Sequence, residues 1–349
     1  MSSKKQITVG GVKIGGGAPV TVQSMTNTKT SDVRATAEQI NRLTELGCDI
    51  ARVAVPDMES ADAIGEIKKR ISIPLVADIH FDHRLAIRAA QAGADKLRIN
   101  PGNIGDENNV RQVADICKKK GIPIRIGVNG GSVKKELLAK HGGLTPEVMR
   151  ESATEHILLL NKFDFDDICV SVKASSVPLT IESYRLLSER MDYPLHLGVT
   201  EAGTDYMGLV KSSVGIGALL ADGIGDTIRV SLTAKPESEI SAGLAILRSL
   251  GLREGYELIS CPTCGRCKID LISIAREVEI RLESLSRDIS VAVMGCAVNG
   301  PGEVSRADYG IAGGDGEGVI FSKGKILRKV PMDKLVEELF KEIGEEELV

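Results

Sequence analysis

Between residues 20 and 232, short apolar runs rich in β-branched residues alternate with segments of helical periodicity, regularly enough to be counted. The strand candidates are Val20–Met25, Asp49–Val55, Pro74–His80, Lys96–Pro101, Pro123–Asn129, Asp167–Ser175, Pro194–Thr200 and Thr227–Leu232. Segments between them, such as Asp32–Leu46 and Pro146–Leu160, read as helices. Several stop at a glycine (Gly47, Gly93, Gly121), the residue that takes the left-handed C-terminal conformation most easily. Eight strand–helix units fit a closed (β/α)8 TIM barrel, an α/β fold. The alternative is an open doubly wound sheet, which shows a G-x-G-x-x-G turn after its first strand. Here the early glycines (Gly10, Gly11, Gly15, Gly16, Gly17) precede the first convincing strand and open no helix. Three strands also begin alike, with Asp49, Asp95 and Asp226 each three residues before Arg52, Arg98 and Arg229. That is the weak self-similarity of units solving one geometric problem, not a solenoid repeat.

A barrel does not exhaust 349 residues, so two domains are expected, at 1–250 and 256–349. Pro236–Leu250 reads as the last barrel helix and Gly251-Leu252-Arg253-Glu254-Gly255 as a linker. The second domain reads as smaller and α+β. It has a cysteine turn, an amphipathic helix near Asp270–Leu285, strands at Ile289–Met294, Tyr309–Gly314 and Gly318–Phe321, and a closing helix at Met332–Ile343. A net charge of −4 supplies no basic field for nucleic acid, and aromatics at 3% supply no stacking platform. No apolar run reaches the ~18–20 residues of a membrane span. The start, Met1-Ser2-Ser3-Lys4-Lys5-Gln6, lacks the apolar stretch of a signal peptide, so a soluble, cytoplasmic protein is expected.

Side chains two apart on a strand share a face. Polar residues pair at that spacing late in strand after strand: Asp78 with His80, Arg98 with Asn100, Ser171 with Lys173, Arg229 with Ser231, and Arg125 with Asn129 four apart. Arg52 sits late in the second strand and Glu201 directly follows the seventh. Helices cover the outside of a barrel, so these groups should point inward at the C-terminal mouth, where active sites of this fold lie. A single Arg there is most simply a structural partner of an Asp. Five cations (Arg52, Arg98, Arg125, Lys173, Arg229) with chiefly Asp78 and Glu201 to neutralise them instead require an anion. Arg forks match phosphate oxygens, so a phosphorylated ligand is expected. Asn100 and Asn129 would position hydroxyls, and His80, Asp78 and Glu201 would move protons.

Seven cysteines, an odd number, argue against a paired disulfide framework. Cys48, Cys117 and Cys169 fall on barrel elements and read as buried, inert thiols. The other four lie in two Gly/Pro-rich turns, Cys261-Pro262-Thr263-Cys264-Gly265-Arg266-Cys267 and Gly295-Cys296-Ala297-Val298-Asn299-Gly300-Pro301-Gly302-Glu303. C-x-x-C with a distant third Cys is compatible with structural zinc or an iron–sulfur cluster, and the spacing alone does not choose. No second C-x-x-C or His pair completes a closed tetrahedron unless Cys267 is used, while Glu303 offers a hard, exchangeable ligand. A cluster beside a phosphate-binding barrel points to reductive chemistry on a phosphorylated substrate.

Seven stretches spread over the chain resemble one family. They are Pro19–Thr26, Ala77-Asp78-Ile79-His80-Phe81, Leu97–Asn103, Ile124–Asn129, Gly198–Gly203, Cys261–Arg266 and Asn299–Glu303. The family is that of bacterial 4-hydroxy-3-methylbut-2-enyl diphosphate synthases of the non-mevalonate isoprenoid (MEP) pathway, in its two-domain form. The resemblance implies reductive ring opening and dehydration of 2-C-methyl-D-erythritol 2,4-cyclodiphosphate, with two electrons from reduced ferredoxin or flavodoxin. It implies a [4Fe-4S] cluster on Cys261, Cys264 and Cys296, with Glu303 on the fourth iron until substrate displaces it, in a domain resembling those of sulfite and nitrite reductases. It places the diphosphate on Arg52, Arg98, Arg125, Lys173, Arg229 and Ser231, and makes Glu201 a proton donor to the departing hydroxyl. Cys267 stands outside the family's ligand motif.

Two other classes compete: a barrel transferase or aldolase for phosphosugars or pterins with a zinc knob, and an electron carrier with no barrel chemistry. The mouth's charge argues against the carrier, which needs no phosphate cage. Topology adds an expectation about assembly. The eighth strand ends at the mouth and the last helix runs back to the bottom, from which a five-residue linker cannot bring the cysteine domain round to its own mouth. A head-to-tail homodimer, each mouth served by the partner's cluster domain, is therefore expected.

Overall fold

The structure, a computed structural model, describes residues 3–285, 287–296 and 306–344. The chain divides into two compact units, Met1–Leu252 and Arg253–Val349.

The first unit opens with a hairpin of β1 (Gln6–Val9) and β2 (Val12–Gly15). Eight parallel strands follow: β3 (Thr21–Met25), β4 (Ile50–Ala54), β5 (Leu75–Asp78), β6 (Lys96–Ile99), β7 (Ile124–Asn129), β8 (Ile168–Lys173), β9 (His196–Leu197) and β10 (Thr227–Ile228). Their hydrogen-bonded order is β8-β7-β6-β5-β4-β3-β10-β9, and a bridge between Val170 and Leu195 joins β8 to β9 and closes the barrel. The helices are α1 (Val33–Glu45), α2 (Met58–Lys68), α3 (His83–Ala92), α4 (Glu107–Lys120), α5 (Lys135–His141), α6 (Pro146–Asn161), α7 (Val177–Ser188), α8 (Asp205–Ala221) and α9 (Pro236–Ser249). The expected barrel is present, with the seventh and eighth strands shorter than their apolar runs. Among the described residues no helix is long and apolar enough to cross a membrane.

The start and stop signals act as their chemistry demands. Asp32, Asp106 and Thr145 accept hydrogen bonds from Ala35, Asn109 and Val148 and cap α1, α4 and α6, while Gly93 and Gly121 end α3 and α4 in the left-handed conformation. The repeated aspartates also acquire a meaning. Asp49 accepts from Val22 N at 2.8 Å, Asp95 from Leu75 N at 2.7 Å and Asp226 from Leu195 N at 2.8 Å, so each ties the start of its strand to the strand beside it. Asp95 also pairs with Lys68. Asp95→Ala should lower stability by about 1–3 kcal/mol, the loss expected when a buried donor is orphaned. Denaturant unfolding checks this; a change within about 0.5 kcal/mol would show the stitch to be ornamental.

The hairpin was not among the expected strands. Ile7, Val9 and Ile14 pack on Ile50, Val76 and Cys169, inward residues near the starts of β4, β5 and β8, and so plug the barrel's lower end. Strand register, followed around an eight-stranded barrel, then sorts the interior into layers. Above the plug come Ile50, Lys96, Cys169 and Thr227. Next are Gln23, Val76, Arg125 and His196, then Arg52, Arg98, Ser171 and Arg229, then Met25, Asp78, Gly127 and Gly198. Barrel interiors are ordinarily aliphatic; this one turns polar within one layer of its floor.

The second unit is a five-stranded sheet ordered β11 (Tyr256–Ser260), β12 (Ile289–Met294), β13 (Tyr309–Ala312), β14 (Glu317–Ser322) and β15 (Lys325–Pro331). The first three strands are parallel and the last two join antiparallel. Helices α10 (Leu271–Ser284) and α11 (Leu335–Ile343) contribute Val278, Leu282, Leu339 and Phe340 to one core with Val291, Val293, Ile311 and Ile320. This is a two-layer α+β arrangement. Strands β11 and β15 were not anticipated.

Candidate functional site

The cations converge. Arg52, Arg98, Arg125 and Lys173 are all buried, and Arg229 nearly so. Burial drives the Lys173 ammonium well below its ordinary pKa, and Arg125, Arg52, Arg229 and Arg98 push it the same way, the signature of one cluster of like charge. Two carboxylates hold the cluster together. Asp78 lies 3.1 Å from Arg98 Nη1 and 3.8 Å from Arg52 Nε, while Glu239, buried on α9, takes Arg229 in a fork at 3.3 Å on each side. Glu239 also accepts from Ser24 Oγ at 3.2 Å and Leu232 N at 3.1 Å. Arg52 gives Nη2 to Met25 Sδ at 2.9 Å.

Two expectations are corrected here. Arg229 does not lack a carboxylate, because Glu239 supplies one from helix α9, away from the strand ends. Asp78 is not a carrier of protons. Burial pushes its carboxyl up, but Arg52, a hydrogen bond with His80, Arg98 and Arg125 outweigh burial and hold it far below the usual carboxylate range. It therefore stays anionic as the counter-charge of the cage.

The remaining expected residues line the same end of the barrel. His80 is exposed, with Nε2 3.5 Å from Asp78 and 3.3 Å from Arg98 Nη1. Asn100 is buried and its Oδ1 accepts from Gly102 N at 3.1 Å, so it shapes its own loop. Asn129 N donates to Ser132 Oγ at 3.0 Å in the turn after β7. Ser231 lies half-buried three residues beyond β10. Glu201 is exposed and holds a φ of 52°, a left-handed conformation that a residue with a Cβ rarely adopts.

Gly127 makes the cage possible. A Cβ there would collide with the Arg98 guanidinium, which cannot retreat without leaving Asp78. Gly127→Ala should weaken affinity for inorganic pyrophosphate by about 1.5–3 kcal/mol, a loss of roughly 10- to 150-fold. Calorimetric titration checks this, and unchanged affinity would separate Arg98 from the anion.

Lys96, Gln23 and His196 also face inward below the cage, as do Met25 and Glu239 beside it, and none was expected as a site residue. The signal was present for Lys96 and Gln23, each two residues from an inward neighbour. Glu239 falls on the inward stripe of α9 with Pro236, Ile240, Gly243 and Leu247.

In the second unit Cys261 and Cys296 follow the ends of the parallel neighbours β11 and β12, and Gly295 N donates to Cys261 Sγ at 3.2 Å. Cys264 is exposed, and the backbone N–H of Arg266 pulls its thiol below the ordinary value. By contrast, burial pushes Cys48 up to about 12 and raises Cys117 and Cys169 as well, as expected of inert thiols. Cys267 donates to Ile269 O at 3.3 Å and packs against Gly295 and Leu271, so its thiol is engaged within the fold. Among the described residues no three potential ligands are gathered at metal-binding spacing. Glu303 and the Asn299–Glu303 turn lie outside the described residues. The donor chemistry nonetheless fits a thiolate-held group: a thiol favouring its anion and another accepting an N–H bond, beside strand ends.

Comparison with known proteins places this geometry. A family profile described as the GcpE TIM-barrel domain matches residues 4–244, and one described as the GcpE protein C-terminal domain matches residues 257–345. A relative from Ruminiclostridium cellulolyticum is 60% identical over 98% of this chain and 97% of its own. One from Caldanaerobacter subterraneus subsp. tengcongensis is 62% identical over 97% and 96%. Both are named 4-hydroxy-3-methylbut-2-en-1-yl diphosphate synthase (flavodoxin). Among solved structures, the dihydropteroate synthases of Yersinia pestis (TM-score 0.51, 12% identity, 71% of this chain, 100% of that chain) and Stenotrophomonas maltophilia (0.52, 12%, 70%, 97%) share the barrel. At that identity the likeness is one of fold alone.

Proposed function

The chain belongs to the GcpE family, and from that membership and the cage we propose how its residues divide the work. It is an oxidoreductase of isoprenoid precursor biosynthesis, forming 4-hydroxy-3-methylbut-2-en-1-yl diphosphate with flavodoxin as reductant. The substrate is 2-C-methyl-D-erythritol 2,4-cyclodiphosphate. Two electrons and two protons open its ring at a carbon–oxygen bond and release one hydroxyl as water.

The observation that carries the reading is the charge of the cage. Among the described residues, Arg52, Arg98, Arg125, Lys173 and Arg229 face only Asp78 and Glu239, and the positive excess is what a cyclic diphosphate dianion offsets. Those five cations and Ser231 hold the diphosphate, and Asn100 and Asn129 orient the sugar-derived hydroxyls. Exposed at the same end, Glu201 gives a proton to the departing hydroxyl, and His80 exchanges protons with solvent beside it.

Cys261, Cys264, Cys296 and Glu303 would hold a [4Fe-4S] cluster, which when bound supplies the electrons and a Lewis-acidic iron. Ferredoxin is the alternative donor. The unit carrying these thiols acts on a partner's barrel in a head-to-tail homodimer.

Anaerobically purified protein, assayed with reduced flavodoxin and the cyclic diphosphate, tests the reading. Product formation with visible absorbance that dithionite bleaches is expected; a colourless protein with stoichiometric zinc would overturn it. Cys267→Ser should keep both absorbance and activity, since that thiol already serves Ile269 O. Loss of the cluster in this variant would make Cys267 a ligand.

A further inference from the structure

Two interior layers form the floor of the barrel, and of their residues Arg125 also belongs to the cage above. They comprise Ile50, Lys96, Cys169 and Thr227, then Gln23, Val76, Arg125 and His196, and every one is buried. Lys96 Nζ, Arg125 Nε and Nη1, both polar atoms of the Gln23 amide, and His196 Nε2 have no hydrogen-bond partner among the described residues.

Charge decides what such a floor requires. Neither layer contains a carboxylate; Asp78 above is engaged by Arg52 and Arg98, and Asp226, buried beside Thr227, accepts from Leu195 N and Ser3 N. The apolar plug of Ile7, Val9 and Ile14 closes the layers from below. Ammonium and guanidinium groups offer only N–H donors, so donors exceed acceptors here. Water would satisfy the hydrogen bonds but would leave Lys96 and the lower edge of Arg125 in a sealed interior with no anion beside them, a costly arrangement. Cys169 does not supply one, because burial raises its thiol pKa and keeps it neutral. Burial also brings Lys96 down to about 8, with Arg125 acting in the same direction.

We propose that the barrel floor is a binding site for one small monovalent anion of the chloride class, held by N–H groups of Lys96, Arg125 and Gln23 beneath the diphosphate cage. The anion stays whether or not the cage is filled. It braces the lower edge of Arg125, whose remaining donors then serve the cage in a fixed orientation. The site does not depend on the identity of the substrate.

Crystals of the full-length protein grown in bromide, with and without inorganic pyrophosphate, test it by anomalous scattering. A bromide peak within hydrogen-bond distance of Lys96 Nζ and Arg125 in both crystals is expected. An empty or water-filled floor overturns the proposal. Displacement of the peak by pyrophosphate also overturns it, making the floor part of the diphosphate subsite.

In solution, replacing gluconate by chloride at constant ionic strength should raise Tm by about 2–3 °C at ten times Kd. Lys96→Met should lose that response, and Lys96→Gln serves if the Met variant does not fold. A chloride response equal in wild type and variant would count against the site, and the bromide experiment on wild-type protein decides whether or not either variant folds.

Discussion

Asp78→Asn should destabilise the ligand-free protein by about 3–5 kcal/mol near neutral pH, because removing one partner of a buried ion cluster leaves the others uncompensated. Arg98 at 3.1 Å and Arg52 at 3.8 Å would lose their shared carboxylate, with Arg125 close enough to add to the repulsion. The folded-state pKa of Asp78 is depressed. Its contribution is therefore complete above the unfolded value of about 3.9 and is lost as pH falls below it. The gap between wild type and variant should accordingly begin to narrow below about pH 4 and close only as pH falls toward the depressed folded-state pKa. Inorganic pyrophosphate should close the gap at neutral pH, since the anion restores the missing negative charge and stabilises by mass action. Unfolding curves across pH and ligand concentration measure all of this. A stability difference that persists at saturating pyrophosphate would mean that Asp78 is a packing residue and not the counter-charge of the cage.

The barrel was legible in the sequence because a parallel strand buried on both sides reads as a continuous apolar run, and eight such runs with helical spacers leave few alternatives. What escaped was short or exposed. The strands Gln6–Val9 and Val12–Gly15 have four residues each and are bounded by glycines, so they read as loop until their apolar side is seen against Ile50, Val76 and Cys169. Lys325–Pro331 is an edge strand exposed at six of its seven positions, and its charges resemble a solvated turn.

The cations were visible because period two exposes them strand by strand. Their partners were not, since Glu239 arrives from a helix and reaches Arg229 across ten residues. The proton-carrying role expected of Asp78 failed for a related reason. Residue type announces a carboxylate, but only three-dimensional packing shows three guanidinium groups around it.

Arg125→Ala and Cys264→Ser should each be inactive alone and should regain activity when mixed under conditions of subunit exchange. Strand β10 ends at the mouth with Arg229 and Ser231 just beyond it, and the 14 residues of α9 carry the chain about 21 Å back along the outside, toward the plugged end. The barrel unit closes at Leu252 and β11 starts at Tyr256. On the proposal that a second copy supplies the thiols, reciprocity under a two-fold axis gives two equivalent composite sites. Random exchange makes half of the dimers mixed. Each mixed dimer has one site with an intact cage and intact thiols and one site lacking both, so about a quarter of wild-type sites should work. Absence of recovery, with exchange demonstrated by mass-tagged subunits, would place cage and thiols of each site within one chain.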